Sequence, residues 1–216
     1  VVPKAVVRVH PHPMYTQFAT RSMTRAQARE RLDVQGRVLL FFGLVRAYKG
    51  LSNLLRAFAR VSERLSATLF VVGEFYEDRK PYDELIASLG IGDRVRVVDR
   101  YVPDDEVAMY FCAADLVVLP YESATQSGIV QTAFAFERPV VVTAVGGLPD
   151  VVRDGVTGYV VSPRDPVALA SAIERFFVGD DAERMAVAIR EEASRFSWAG
   201  CAEALMDLGA RVTEAR

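Results

Sequence analysis

The chain has 216 residues, of which 51% are hydrophobic and 25% charged, with a formal net charge of −2. That length supports one well-buried core and leaves little room for a second full domain. No basic surplus exists to neutralise phosphates along a duplex, which excludes a nucleic-acid binder, and no apolar run reaches transmembrane length.

No signal peptide is visible. The chain opens on Val1 with VVPKAVVRVHPHP, in the manner of a strand already under way, and reads as a continuation of an upstream segment. VLLFFG (38–43) is a continuous apolar run ending in glycine, as suits a strand buried on both faces of a parallel sheet. Leu51, Leu54, Leu55, Phe58, Val61 and Leu65 follow at helical spacing and mark one apolar helix face. TLFVVGE (68–74) is a second buried strand. Leu85, Ile86 and Leu89 mark a helix closed by Gly90, and RVRVV (94–98) alternates like a strand. Pro103 and the acids 104–106 open the next helix, where the dipole favours negative charge. DLVVLPY (115–121), PVVVT (139–143) and GYVV (158–161) read as strands. Helices are expected at 127–136 and at Leu148–Val152. Another begins at Asp165-Pro166, an N-cap followed by proline, and two more fall near 181–194 and 199–212. Strands alternating with helices imply an α/β fold with a doubly wound, Rossmann-like parallel sheet. Right-handed crossovers then gather the strand C-termini on one ligand-binding edge.

Four segments on that edge carry the candidate chemistry. In FFGLVRAYKG (41–50), Gly43 ends a strand, and Arg46 and Lys49 stand beside a helix start, a natural anion site. An Arg-x-x-Lys pair alone would more simply be two solvated cations; its placement favours the anion site. In PYESATQSGIVQTAFAF (120–136), a small polar loop from Ser123 to Gly128 runs into an apolar helix, where free amides and hydroxyls can meet a phosphate. Thr125 or Ser127 is also expected to cap that helix. The Gly146-Gly147 turn in TAVGGLPDVV and Glu74 just past a strand are weaker signals. His10 and His12 lie between prolines with no carboxylate at metal-ligand spacing, and read as structural. Cys112 and Cys201 read as buried free thiols in a reducing, cytoplasmic setting.

Taken together, FFGLVRAYKGLSNLLRAF, VVGEF, DRVRVVDRYVPDDEVAMYFCAADLVVLPY, PVVVTAVGGLPDVVRDGVTGYVVSPRDPVALASAI and the late FSW (196–198) resemble the C-terminal domain of family 4 glycosyltransferases, which have the GT-B fold. The likeness runs over nearly the whole chain. It implies a retaining transferase whose nucleotide-diphosphate sugar, of UDP or GDP type, lies between two Rossmann-like domains. By that likeness residues 1–20 are a linker from an N-terminal acceptor domain. Residues 21–195 bind the donor, and 196–216 form a helix returning toward the first domain. Arg46 and Lys49 would be the catalytic pair, neutralising the departing diphosphate. Tyr101 and Val102 fall where backbone meets the base. Thr125, Gln126, Ser127, Gly128 and Ile129 would serve phosphates and sugar, with Gly43 and Glu74 nearby. No metal or other cofactor is expected, and peripheral membrane contact through the N-terminal domain stays open.

The sequence also departs from the family pattern. The family's arginine lies five residues before the lysine, where Leu44 stands, and Arg46 is expected to substitute. The family's paired glutamates fall on Ala124 and Thr132. Thr132 could replace one ribose bond; Ala124 can replace none, and Glu122 is the nearest acid. A non-catalytic nucleotide-sugar-binding module is therefore the alternative, and a GT-B sugar-nucleotide epimerase a more distant one. The isolated chain is expected to fold without turning over.

Overall fold

The computed structural model describes residues 10–19, 23–179 and 181–214. The segment 1–9, the first part of the expected linker, lies outside them. In chain order the elements are a 3₁₀ turn Thr16–Phe18, α1 (Arg25–Arg31), β1 (Arg37–Phe42), a 3₁₀ turn Ala47–Lys49 and α2 (Leu51–Leu65). β2 (Ala67–Val72), α3 (Lys80–Ser88), β3 (Val95–Val98), α4 (Asp104–Ala113), β4 (Leu116–Leu119) and α5 (Gly128–Ala135) follow. The chain continues through β5 (Val140–Thr143), α6 (Leu148–Val151), β6 (Gly158–Val161), α7 (Pro166–Val178), α8 (Asp181–Glu191) and α9 (Trp198–Glu214). The expected strands all form. α1 has no counterpart in the periodicity reading, because of its seven residues only Ala28 is buried. Its signature is a capping box: Thr24 Oγ1 accepts from the Gln27 amide at 3.2 Å, and Gln27 Oε1 accepts from the Thr24 amide at 3.0 Å.

The six strands form one parallel sheet in the order β3-β2-β1-β4-β5-β6. Strand periodicity divides its side chains between two cores. Val38, Leu40, Val117, Leu119, Val140 and Val142 face α1, α4 and α5. Leu39, Phe41, Leu116, Val118 and Val141 face α2, α3 and α7. Burial on both faces is why the central strands read as unbroken apolar runs. Asp165 caps α7 as its sequence suggests, its carboxylate accepting from the amides of Val167 and Ala168.

Strand order reverses between β1 and β4. Chain arriving from β1 turns one way and chain arriving from β4 the other, which opens a crevice beyond their C-termini. Its two walls are stitched together directly. The Glu122 amide donates to the Tyr48 carbonyl at 2.6 Å. Gly50, left-handed at φ +70°, sits where a Cβ would be 2.0 Å from the Pro120 carbonyl oxygen. Gly50→Ala is expected to lower stability in urea unfolding by about 2 kcal/mol or more, with the denaturant slope unchanged. A loss under about 0.5 kcal/mol would mean that this junction yields without cost.

Candidate functional site

Beyond β1 the chain pairs briefly with the segment after β2: the Val45 amide donates to the Glu74 carbonyl at 2.9 Å. The Ala47 amide then donates to the Glu77 carboxylate at 3.0 Å and starts the 3₁₀ turn. That turn, followed by left-handed Gly50, folds Lys49 inward, so it is only 9% exposed. Its ammonium lies 5.6 Å from the centroid of the Tyr121 ring and 3.3 Å from where a Cβ on Gly43 would stand. Among the described residues no acid pairs with it. Burial pulls its pKa from 10.5 down to about 8, and the nearby Arg46 charge adds to the fall. Lys49 is therefore not a solvated surface cation. Arg46 is exposed, its guanidinium 4.7 Å from the centroid of the Tyr76 ring.

Beyond β4, Tyr121 is buried, with its hydroxyl 3.4 Å from Ser127 Oγ. Burial pushes the phenol pKa up to about 12, which keeps it protonated. The Thr143 hydroxyl donates to the Tyr121 carbonyl at 2.5 Å. The Gly146-Gly147 turn braces the loop that follows. The Gly147 amide donates to the Thr125 carbonyl at 2.9 Å. At Gly146, φ +51°, a Cβ would be 1.8 Å from the Ala124 carbonyl oxygen. This double glycine is a support for the polar loop.

The expected helix cap does not form. Ser127 stands at the N-cap position of α5, yet neither it nor Thr125 caps the helix, because the Ser127 hydroxyl has turned to Tyr121. The first amides of α5 are thus left without a side-chain acceptor, at the positive end of the helix dipole.

These parts enclose a cleft of about 600 Å³ lined by Tyr48, Lys49, Tyr121 and residues 123–129. It brings together Lys49, Thr125, Gln126, Ser127, Gly128 and Ile129. Gly43, Glu74, Tyr101 and Val102 meet in a smaller, more apolar hollow of about 140 Å³, with Phe42, Leu44, Gly73 and Arg100. Arg46 and Thr132 line neither. Thr132 is buried, and its hydroxyl donates to the Gly128 carbonyl one turn back at 3.0 Å, so that proton is already engaged. Glu122 is engaged too: it accepts from Arg164 Nε at 2.8 Å and from Asn53 Nδ2 at 3.2 Å. Among the described residues the cleft lining contains no acid. Tyr48 was missed by sequence reasoning; its signal is an aromatic set between two cations at a strand end.

Away from the cleft, His10 and His12 each bond the neighbouring proline carbonyl through Nδ1, at 2.6 and 2.8 Å. Both cysteines are free. Cys112 is buried, whereas Cys201 is only half-buried, because none of the side chains described on α9 is fully buried. Among the described residues no group of three or more His, Cys, Asp or Glu could hold a metal ion, and no helix is long and apolar enough to cross a membrane.

The model of one protein family, glycosyl transferases group 1, matches residues 36–178. The chain belongs to this family. A D-inositol 3-phosphate glycosyltransferase from Corynebacterium diphtheriae is 34% identical over 199 residues, covering 89% of this chain and 46% of the relative. Sucrose-phosphate synthase from Thermosynechococcus elongatus superposes with a TM-score of 0.81 at 27% identity, over 97% of this chain and 53% of that one. Anabaena HepE, solved in complex with UDP, gives a TM-score of 0.73 at 23% identity, over 88% of this chain and 51% of that one. The chain thus spans about half the length of the family members it matches, and its Rossmann-like sheet matches GT-B glycosyltransferase structures.

The electrostatics of Lys49 are open to measurement. In the ligand-free protein its side chain is expected to titrate near pH 8 by heteronuclear NMR. Arg46→Ala should move that midpoint upward by removing the like charge. A midpoint near 10.5 in the unmodified protein would contradict the buried placement.

Proposed function

We propose that this domain holds the donor of a retaining glycosyltransferase, a nucleotide-diphosphate sugar of UDP or GDP type. The observation that carries the reading is Lys49: a buried ammonium with no acid partner among the described residues, on one wall of a cleft whose other wall is an uncapped helix start. An anion between them satisfies both at once. The family supports sugar transfer as the chemistry, and the UDP bound by HepE favours a uridine donor. The small apolar hollow at Tyr101 and Val102 is where we place the base.

In the reaction, the bond from the sugar C1 to the β-phosphate oxygen breaks, and an acceptor hydroxyl oxygen bonds to C1 and passes its proton to the departing phosphate oxygen. The nucleoside diphosphate leaves with added charge. Lys49 and the α5 amides meet that charge as it develops, from positions fixed beforehand, and such preorganised electrostatics commonly supply most of an enzyme's rate enhancement. Arg46 joins them if it leaves Tyr76 when the donor binds. Acceptor positioning and water exclusion would come from a second domain. We therefore expect this chain alone to bind donor without transferring sugar. The acid-free lining also favours a second reading, a nucleotide-sugar-binding module without catalysis.

Calorimetry with UDP separates these readings from none at all. Lys49→Ala is expected to weaken UDP binding about tenfold to a hundredfold, as befits loss of a charged hydrogen bond. The pH dependence has a fixed sign. Below pH 8 the free ammonium is already charged, so this group leaves affinity flat. Above pH 8 binding must take up a proton, so affinity falls as pH rises. Unchanged affinity in Lys49→Ala would overturn the phosphate assignment.

A further inference from the structure

The segment ahead of α1 does more than lead into the domain. Tyr15 lies across the start of α5. Its Cε2 is 3.0 Å, and its hydroxyl oxygen 3.5 Å, from where a Cβ on Gly128 would stand. A side chain at 128 would press on that ring. Gly128 is both the first residue of α5 and part of the cleft lining. The phenol oxygen of Tyr15 therefore stands at the start of α5, beside a residue of the lining of the cleft that holds Lys49.

With the His12 imidazole neutral, hydrogen bonding sets which way the phenol proton points. His12 Nδ1 lies 2.8 Å from the Pro13 carbonyl, which can only accept, so Nδ1 carries a proton. In a neutral imidazole Nε2 is then the acceptor. It lies 3.3 Å from the Tyr15 hydroxyl, which donates to it. That leaves Tyr15 Oη as an acceptor. The arrangement is clasped from behind by the start of α9. Trp198 packs edge-on against His12 at 6.3 Å, and its indole N–H donates to the Met14 carbonyl at 3.0 Å. The Met14 amide in turn donates to the Phe196 carbonyl at 2.9 Å.

We propose that Tyr15 is a binding residue of the donor site, accepting a hydrogen bond from a hydroxyl of the transferred sugar. Sugar hydroxyls need acceptors, and the described cleft lining offers no carboxylate for that part. The proposal rests on the donor reading above and deepens it. The sugar side of the site is completed by residues 12–15, outside the 36–178 span that matches the family model. The partner of Tyr15 is a neutral, hydroxyl-bearing sugar, and the contact is absent from the nucleotide diphosphate itself.

Calorimetry on the unmodified protein and Tyr15→Phe, with UDP, GDP, UDP-glucose, UDP-N-acetylglucosamine and GDP-mannose, tests this. Tyr15→Phe keeps the ring against Gly128 and loses only the oxygen. For the preferred donor, the ratio of nucleotide-sugar to nucleotide affinity is expected to fall about fivefold to tenfold, while affinity for the bare nucleotide stays within about twofold. An unchanged ratio overturns the role of Tyr15, as does an equal loss of affinity for bare nucleotide, which marks a structural role. Failure of the unmodified protein to bind UDP or GDP overturns the donor reading instead.

Discussion

An ammonium held out of water needs an opposite charge or a lowered pKa, and in Lys49 this fold has taken the second course. The surrounding architecture keeps it there. The 3₁₀ turn brings the side chain inward, Gly50 lets that turn press against the Pro120 carbonyl, and the Tyr121 ring supplies a face for the charge. Across the cleft, α5 begins without a cap because its N-cap serine is occupied by Tyr121. Two electropositive features are thus left unsatisfied toward one space. Any anion that fills it binds the folded state alone and stabilises it by mass action.

The sheet decides where this happens. Both faces of β1 and β4 are sealed by helices, so only the strand ends can present polar groups without disrupting a core. The order reversal between those two strands sets their loops side by side, and the glycine turn after β5 holds the second loop in place. The acid that borders the cleft loop is held elsewhere: Glu122 is fixed by Arg164 and Asn53. The described lining of the cleft then offers an ammonium, backbone amides, hydroxyls and the Gln126 amide.

Much of this was legible in the sequence because it is local. Unbroken apolar runs gave the inner strands, Asp165-Pro166 gave the start of α7, and the position of Lys49 at a strand-to-helix junction singled it out as a candidate. α1 was not legible, since it shows arginine, glutamate and glutamine where an amphipathic pattern would show a stripe; only its capping box betrays it. The rest depends on contacts distant in sequence. Nothing local shows that Lys49 is buried, that Ser127 bonds Tyr121 in place of capping, or that Arg164 pairs with an acid 42 residues away. Tyr15 reaches Gly128 only once α5 is packed. The family resemblance puts Thr132 where a glutamate is expected, but its bond to the Gly128 carbonyl is visible only in the structure.

In the proposed function, Lys49 and the start of α5 together hold the diphosphate of a nucleotide donor. A crystal structure of this chain with UDP tests it most directly. We expect phosphate oxygens within hydrogen-bond distance of both Lys49 Nζ and the first amides of α5, with the base in the hollow beside Tyr101 and Val102. UDP seated with its phosphates away from Lys49 would contradict the account.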